Sequence, residues 1–179
     1  MLKPVYFEND QVFIHPFRPE DLGRFEQISQ DLLSILSDEH TLKFLPGKRL
    51  RSLQEAEWLL QSIILNFHSD RNYVYFISHK KTNRVIGVID LVSPKVAREH
   101  YQMDDYPFFI EFYLAEKASG SNIMKEILPA VVNSILSQGI ERIGAVVNRH
   151  NIAAKKVLSS ARFMYKAEFD VFQDLYETA

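Results

Sequence analysis

Glu116-Lys117-Ala118-Ser119-Gly120-Ser121-Asn122 is the stretch that decides the fold. Before it, Pro107 to Leu114 is an aromatic, β-branched run suited to a strand. After it, the apolar pairs Ile123/Met124, Ile127/Leu128, Val131/Val132 and Ile135/Leu136 recur every four residues. Each such step turns a helix by about 400°, so the pairs trace one wide apolar stripe. Gly139 supplies a stop. A strand, a short polar loop and a helix in this order suit a phosphate. The first-turn amides point outward and the helix dipole favours an anion. Gly120 has no Cβ and permits close backbone approach. Ser119, Ser121 and Asn122 offer hydrogen bonds, and Lys117 offers a charge. The same spacing also suits an ordinary loop whose small residues cap the helix. Pro129 falls inside the stripe and predicts a kink, because it removes the bond to the Lys125 carbonyl.

Working outward, Gln11 to Phe17 reads as a first strand, and Pro19 opens a helical stretch carrying Leu22, Phe25 and Ile28. A weaker helix is expected near Asp31 to Ser37. His40 to Arg51 reads as a loop around Pro46-Gly47. Ser52 and Glu55 stand at capping-box spacing before a helix with Ala56, Leu59, Leu60, Ile63, Ile64 and Phe67 on one face. Tyr73 to Ser78 and Val85 to Val92 form a hairpin, followed by a long polar loop, Ser93 to Tyr106. Beyond the central helix come a strand, Arg142 to Val147, a short helix, Asn151 to Ser160, and a strand pair, Phe163 to Phe169 and Val171 to Tyr176. The order predicts an α/β (α+β) chain. A mixed, mostly antiparallel central sheet is flanked by about four helices. Residues 1–179 read as a single domain, without repeat or linker.

The 179 residues carry 21 Lys and Arg against 23 Asp and Glu, a net charge of −2. That balance argues against nucleic acid as a general partner, which would require a cationic surplus. No cysteine is present, which excludes disulfides, Cys-ligated zinc and a cysteine nucleophile and suits a cytoplasmic address. No signal peptide and no membrane span are expected. The six histidines show no i, i+4 pair, so no metal site is expected.

The loop at residues 117–122 resembles motif A of the GNAT acetyltransferases, a Gln/Arg-x-x-Gly-x-Gly/Ala loop that binds the pyrophosphate of CoA. Lys117 stands at the Gln/Arg position, Gly120 at the first Gly, and Asn122 where Gly or Ala is usual. Val147 to Leu158 resembles the family segment V-x-x-x-N-x-A-S-x-R/K-V-L, with Asn151 at the Asn and Lys156 at the basic residue. Ala161-Arg162-Phe163 stands where x-Gly-Phe is usual, implying a different turn. Phe17 to Leu22, Leu45-Pro46, Ser52 to Ala56 and Arg84 to Ile89 resemble the corresponding junctions of the branch that acetylates ribosomal-protein N-termini (RimJ/RimL-like). The resemblance covers roughly residues 10 to 170.

The resemblance implies direct attack of an amine on acetyl-CoA in a ternary complex. Backbone at Phe112, Tyr113 and Leu114 would hold pantetheine and thioester. The loop Lys117, Ala118, Ser119, Gly120, Ser121 and Asn122 would hold the pyrophosphate, with Asn151 and Lys156 nearby. Glu111 is the expected base, with apolar neighbours that raise its pKa. It equally suits a solvent-facing residue or one paired with an Arg or Lys. Tyr113 and Tyr165 are candidates for the acid, because the family's usual tyrosine position is Leu158 and the usual Ser is Ala154. Trp58 and Phe67 can border the acceptor groove or pack the core. Asp104-Asp105 can attract a cationic amine or be an exposed loop. The acceptor is a protein N-terminus, a polyamine, an antibiotic or another small amine. The resemblance also implies strand edges able to pair two copies as a homodimer. Two alternatives stay open: an acyl-CoA-binding module of the same fold that has lost catalysis, and a scaffold that recruits another protein.

Overall fold

In the computed structural model, which describes residues 1–179, eight strands form one sheet in the order β1-β2-β3-β4-β5-β6-β8-β7. The strands are β1 (Phe7–Glu8), β2 (Val12–His15), β3 (Asn72–His79), β4 (Val85–Val92), β5 (Phe108–Leu114), β6 (Ile143–Asn148), β7 (Phe163–Glu168) and β8 (Gln173–Thr178). Every neighbouring pair is antiparallel except β5 and β6. This is the expected mixed α+β architecture.

Six helices cover the sheet: α1 (Phe25–Leu36), α2 (Glu39–Leu42), α3 (Leu53–His68), α4 (Pro94–His100), α5 (Ile123–Leu136) and α6 (Ile152–Ser160). The two beyond the expected four are short, α2 inside the expected His40–Arg51 loop and α4 inside the expected Ser93–Tyr106 loop. Their signals are side-chain caps. Asp38 accepts the amides of His40 and Thr41, and Ser93 accepts that of Val96 ahead of Pro94. The expected helix at Asp31 to Ser37 is the second half of α1. Pro19–Arg24 is a 3-10 turn, in which Asp21 reaches back to the Arg18 amide. At α3, Ser52 accepts the Glu55 amide and Glu55 accepts that of Arg51, so the capping pair forms. No helix is long and apolar enough to cross a membrane.

Strand alternation divides the core in two. Tyr75, Ile77, Ile89, Leu91 and Ile110 pack against α5, whose Ile127, Leu128 and Val131 are wholly buried. Phe76 and Val88, on the other face, meet Ile28 and Leu32 of α1 and Leu60 of α3. A fully buried side chain of this kind contributes about 1.5–3 kcal/mol, so these faces fix the register of β3, β4 and β5. Phe67 packs edge-on against Tyr73 and Tyr75, whereas Trp58 is 57% exposed and takes no part in the core. Helix α5 continues through Pro129 to Leu136.

Two positive-φ residues bear on the resemblance. Asn122 (φ 61°) and Arg162 (φ 63°) occupy the left-handed region that glycine favours. The expectation of a different turn at Arg162 is therefore corrected: the left-handed position is kept and a bulkier residue fills it. Asn122 likewise preserves the entry to α5, because Asn tolerates this conformation better than most side chains.

Candidate active site

Strands β5 and β6 are parallel partners only at Phe108–Ile143 and Phe109–Gly144. Beyond those pairs they part, and a cavity of about 840 Å³ opens between them. Helices α5 and α6 and the α2 segment complete its walls.

The Ala115 amide donates to Ile86 of β4. By two-residue alternation, the amides of Tyr113 and Glu111 also face β4, while those of Phe112 and Leu114 face the gap. The Leu114 carbonyl accepts from the Thr41 hydroxyl at 3.1 Å, which ties α2 to this strand end. Of the three residues expected to hold pantetheine, Phe112 and Leu114 offer free amides. Tyr113 spends its amide on the sheet.

The strand leads to the N-terminus of α5. Ser119, Gly120 and Asn122 line the cavity, as do Asn151 and Lys156. Gly120 has φ 82°. The amides of Gly120 and Asn122 donate to no backbone carbonyl, and those opening α5 are free by helix geometry. Asn151 accepts the Ala154 amide at 3.1 Å and caps α6. Lys117, Ala118 and Ser121 stand apart. Lys117 is exposed outside the cavity lining, and Ala118 is buried in the core. Ser121 donates its hydroxyl to the Ala118 carbonyl at 2.5 Å. Lys125, which the sequence reading passed over, lines the cavity one turn into α5. Its signal was its place in the first turn, next to the free amides. The donor set (free amides, a helix N-terminus and two lysines) fits a pyrophosphate.

The other face of β5 is ionisable. Glu111 lines the cavity; its adjacent residues Ile110 and Phe112 belong to the opposite face, while Phe109 and Tyr113 share its own. What meets the carboxylate itself is charge. Lys48 Nζ lies 3.0 Å from Glu111 Oε2, and Asp90 of β4 is its cross-strand partner. Glu111 thus sits between Phe109 and Tyr113 on its own face but joins a polar row running Asn72, Asp90, Glu111, Lys48, the pairing with a lysine that the sequence also allowed. The Asn72 amide donates to both Asp90 oxygens, at 3.1 and 3.2 Å. Burial and the Glu111 charge push Asp90 up to about 6, against the pull of Lys48 and Asn72. Burial opposes the charge on Lys48, yet Glu111, with Asp90 behind it, holds its ammonium above the usual lysine range.

Tyr113 packs beside the α1/α3 core. Burial, and then the Asp90 and Glu111 carboxylates, raise its phenol far above the ordinary value, which disfavours it as an acid. Tyr165 is 57% exposed on β7 and outside the cavity lining. Leu158 is wholly buried. Tyr101 does line the cavity, held edge-on by Phe109 and Phe169, and burial and then Glu111 raise its phenol too.

The model of the acetyltransferase (GNAT) domain matches residues 11–164. No curated protein matches the sequence. Solved structures are similar in fold at low identity. RimL, the ribosomal L7/L12 α-N-protein acetyltransferase, in complex with coenzyme A, is 16% identical with a TM-score of 0.73 over 97% of each chain. The microcin C7 self-immunity acetyltransferase MccE, in complex with acetyl-CoA and AMP, is 12% identical with a TM-score of 0.74, over 96% of this chain and 93% of its own. The ribosomal-protein-S5-alanine acetyltransferase of Vibrio fischeri is 14% identical with a TM-score of 0.68, over 97% and 96%. A sheet that splits beside a helix N-terminus, and a family model spanning most of that sheet, lead to one assignment: the chain belongs to the GNAT acetyltransferase family.

Proposed function

We propose that this chain, as one catalytic unit over residues 1–179, moves an acetyl group from acetyl-CoA to a primary amine by direct attack in a ternary complex. One observation carries the reading. The free edge of β5 runs along the cavity to the N-terminus of α5, and the same strand presents a carboxylate, Glu111, on its other face. Donor and acceptor can therefore meet across one strand, which turns a bimolecular reaction into a positioned one. In this reading the amides of Phe112 and Leu114 hold pantetheine and polarise the thioester carbonyl. Gly120, Asn122, Lys125 and Lys156 hold the pyrophosphate. Glu111 takes a proton from the incoming ammonium.

A second reading, an acyl-CoA-binding module without turnover, draws on the tyrosines. Tyr101 and Tyr113, which line the cavity, are both raised rather than poised to donate. A thermal-shift titration with acetyl-CoA, with CoA and ATP as controls, tests the donor half. A ligand confined to the folded state stabilises it by RT ln(1 + [L]/Kd), about 2.7 kcal/mol at a hundredfold excess over Kd. A saturable shift with acetyl-CoA and none with ATP is expected, and no shift at millimolar acetyl-CoA would sink both readings. Thiol release across a panel of peptide N-termini, polyamines and amino sugars then separates the enzyme from the module.

A further inference from the structure

Lys48 has no part in the reading above, yet it sits on the proposed base. It ends the 3-10 turn Pro46–Lys48 between α2 and α3. Its Nζ is 3.0 Å from Glu111 Oε2, and both side chains are 34% exposed. An exposed ion pair contributes little to folding. This one meets a specific electrostatic need. Glu111 and Asp90 are directly opposed on neighbouring strands, and like charges so placed repel. Asn72 is neutral and offsets only part of that. A cation on Glu111 relieves the rest, and a bound acceptor would bring just such a cation, a primary ammonium, to the same carboxylate.

We propose that the Lys48 ammonium holds the acceptor's place at Glu111, so that acceptor binding exchanges one primary ammonium for another there. The inference rests on Glu111 as the base. It explains why a lysine borders a site meant for cations, where a fixed positive charge would otherwise repel the substrate. It also means that Glu111 never stands unpaired beside Asp90.

Truncating the place-holder should let a small amine in. Lys48→Ala removes three methylenes and the ammonium, the outline of n-propylammonium. The measurement is thiol release from acetyl-CoA in the presence of n-propylamine, with N-propylacetamide identified by mass spectrometry. In that reaction the propyl nitrogen bonds to the acetyl carbon as the acetyl carbon–sulfur bond breaks. Of the two protons lost from the ammonium, one passes through Glu111 to solvent and the other ends on the CoA sulfur.

Lys48→Ala is expected to use propylamine at least tenfold faster than the wild type and to saturate with it. Lys48→Ala combined with Glu111→Gln should lose the gain. Lys48→Met refills the space without the charge and should show none. Equal rates in Lys48→Ala and wild type, or an equal gain in Lys48→Met, would overturn the proposal. Lys48→Ser serves if the alanine variant is unstable. Acetyl-CoA binding is followed separately by thermal shift in each variant. Loss of binding in the wild type means that the acetyltransferase reading has failed. Binding without any propylamine gain means that only the role of Lys48 has failed.

Discussion

Asp21 and Asp90 are both carboxylates enclosed by the fold, and their surroundings drive them in opposite directions. Asp21 has more donors than a carboxylate needs for neutrality. Arg18 gives its amide at 2.8 Å, Nε at 3.0 Å and Nη2 at 2.9 Å, and Arg24 gives Nη2 at 3.0 Å. Burial opposes the charge, but these bonds win and hold Asp21 down at about 2. Asp90 has Asn72 and a second carboxylate across the strand, and burial with that repulsion lifts it to about 6. The first arrangement closes the turn at Pro19–Arg24 on its own two arginines. The second sets two carboxylates on neighbouring strands against one lysine, beside the cavity that Glu111 lines, and the proposed proton transfer rests on that arrangement.

The largest test of that contrast is chemical. Glu111→Gln keeps the shape of the polar row and removes the proposed base. Turnover with any amine the enzyme accepts is expected to fall by about 10²–10⁴-fold, the usual scale of general-base catalysis. The Kd for acetyl-CoA should stay unchanged, because the proposed donor contacts are backbone amides along the free edge of β5, not the Glu111 side chain. Full kcat in Glu111→Gln would make the Asp90–Glu111–Lys48 row a structural cluster like that of Asp21 and erase the comparison.

Stability reads the other side. Asp21→Ala leaves two largely enclosed guanidinium groups without their partner, and urea unfolding is expected to show a loss of about 3 kcal/mol. The same carboxylate gives the pH dependence. Its folded pKa lies below the ordinary value, so its contribution is complete above about pH 4 and disappears as the pH falls towards 2. About 2 kcal/mol is lost across that window. His15 adds in the same sense. Burial lowers its pKa, so its stabilising effect, present above 6.5, declines as the pH falls below that value. An Asp21→Asn variant should lose most of the steep acid limb between pH 4 and 2, and a limb of unchanged steepness would assign it to other groups.

Asp90→Asn should move the opposite way. The folded pKa of Asp90 is raised, so its ionised form costs stability as the pH climbs through about 6. Removing that charge relieves Glu111 of a like neighbour. A gain of about 1 kcal/mol at pH 7 is expected, and no gain at pH 4, where the Asp90 carboxyl is largely protonated. A loss at pH 7 would mean that the Asn72 bonds outweigh the repulsion.

What could be read in advance divides along the same line. Apolar periodicity sufficed for the strand order around Glu116–Asn122 and for both faces of the sheet, because burial selects residues at fixed spacing. Gly120 and Asn151 were legible for the same local reason: a left-handed turn and a helix cap each need particular side chains at one position. The ionisable row was not legible. Lys48 meets Glu111 only because the α2–α3 turn folds back over β5, and no spacing in the chain announces such a contact. The charges around Glu111 were missed because they come from other elements, Asp90 from across the sheet and Lys48 from the α2–α3 turn. Asp38 and Ser93, which start the two short helices, carried ordinary cap signals that polar composition obscured.

The smallest effect concerns the two non-glycine left-handed residues. Arg162, φ 63°, is exposed, and its side chain makes no hydrogen bond or ion pair. Holding an L-residue there costs about 1 kcal/mol. Glycine removes that strain but adds freedom to the unfolded chain, returning about half of it. Arg162→Gly is therefore expected to stabilise the protein by about 0.5 kcal/mol in urea unfolding. Asn122→Gly should gain less, about 0.2 kcal/mol, because Asn tolerates the conformation better, and acetyl-CoA affinity should not change. Should Asn122→Gly instead tighten acetyl-CoA binding severalfold, the Asn side chain obstructs the pyrophosphate. The departure from Gly at that position would then be a tax on the donor site rather than a neutral filling of the same turn.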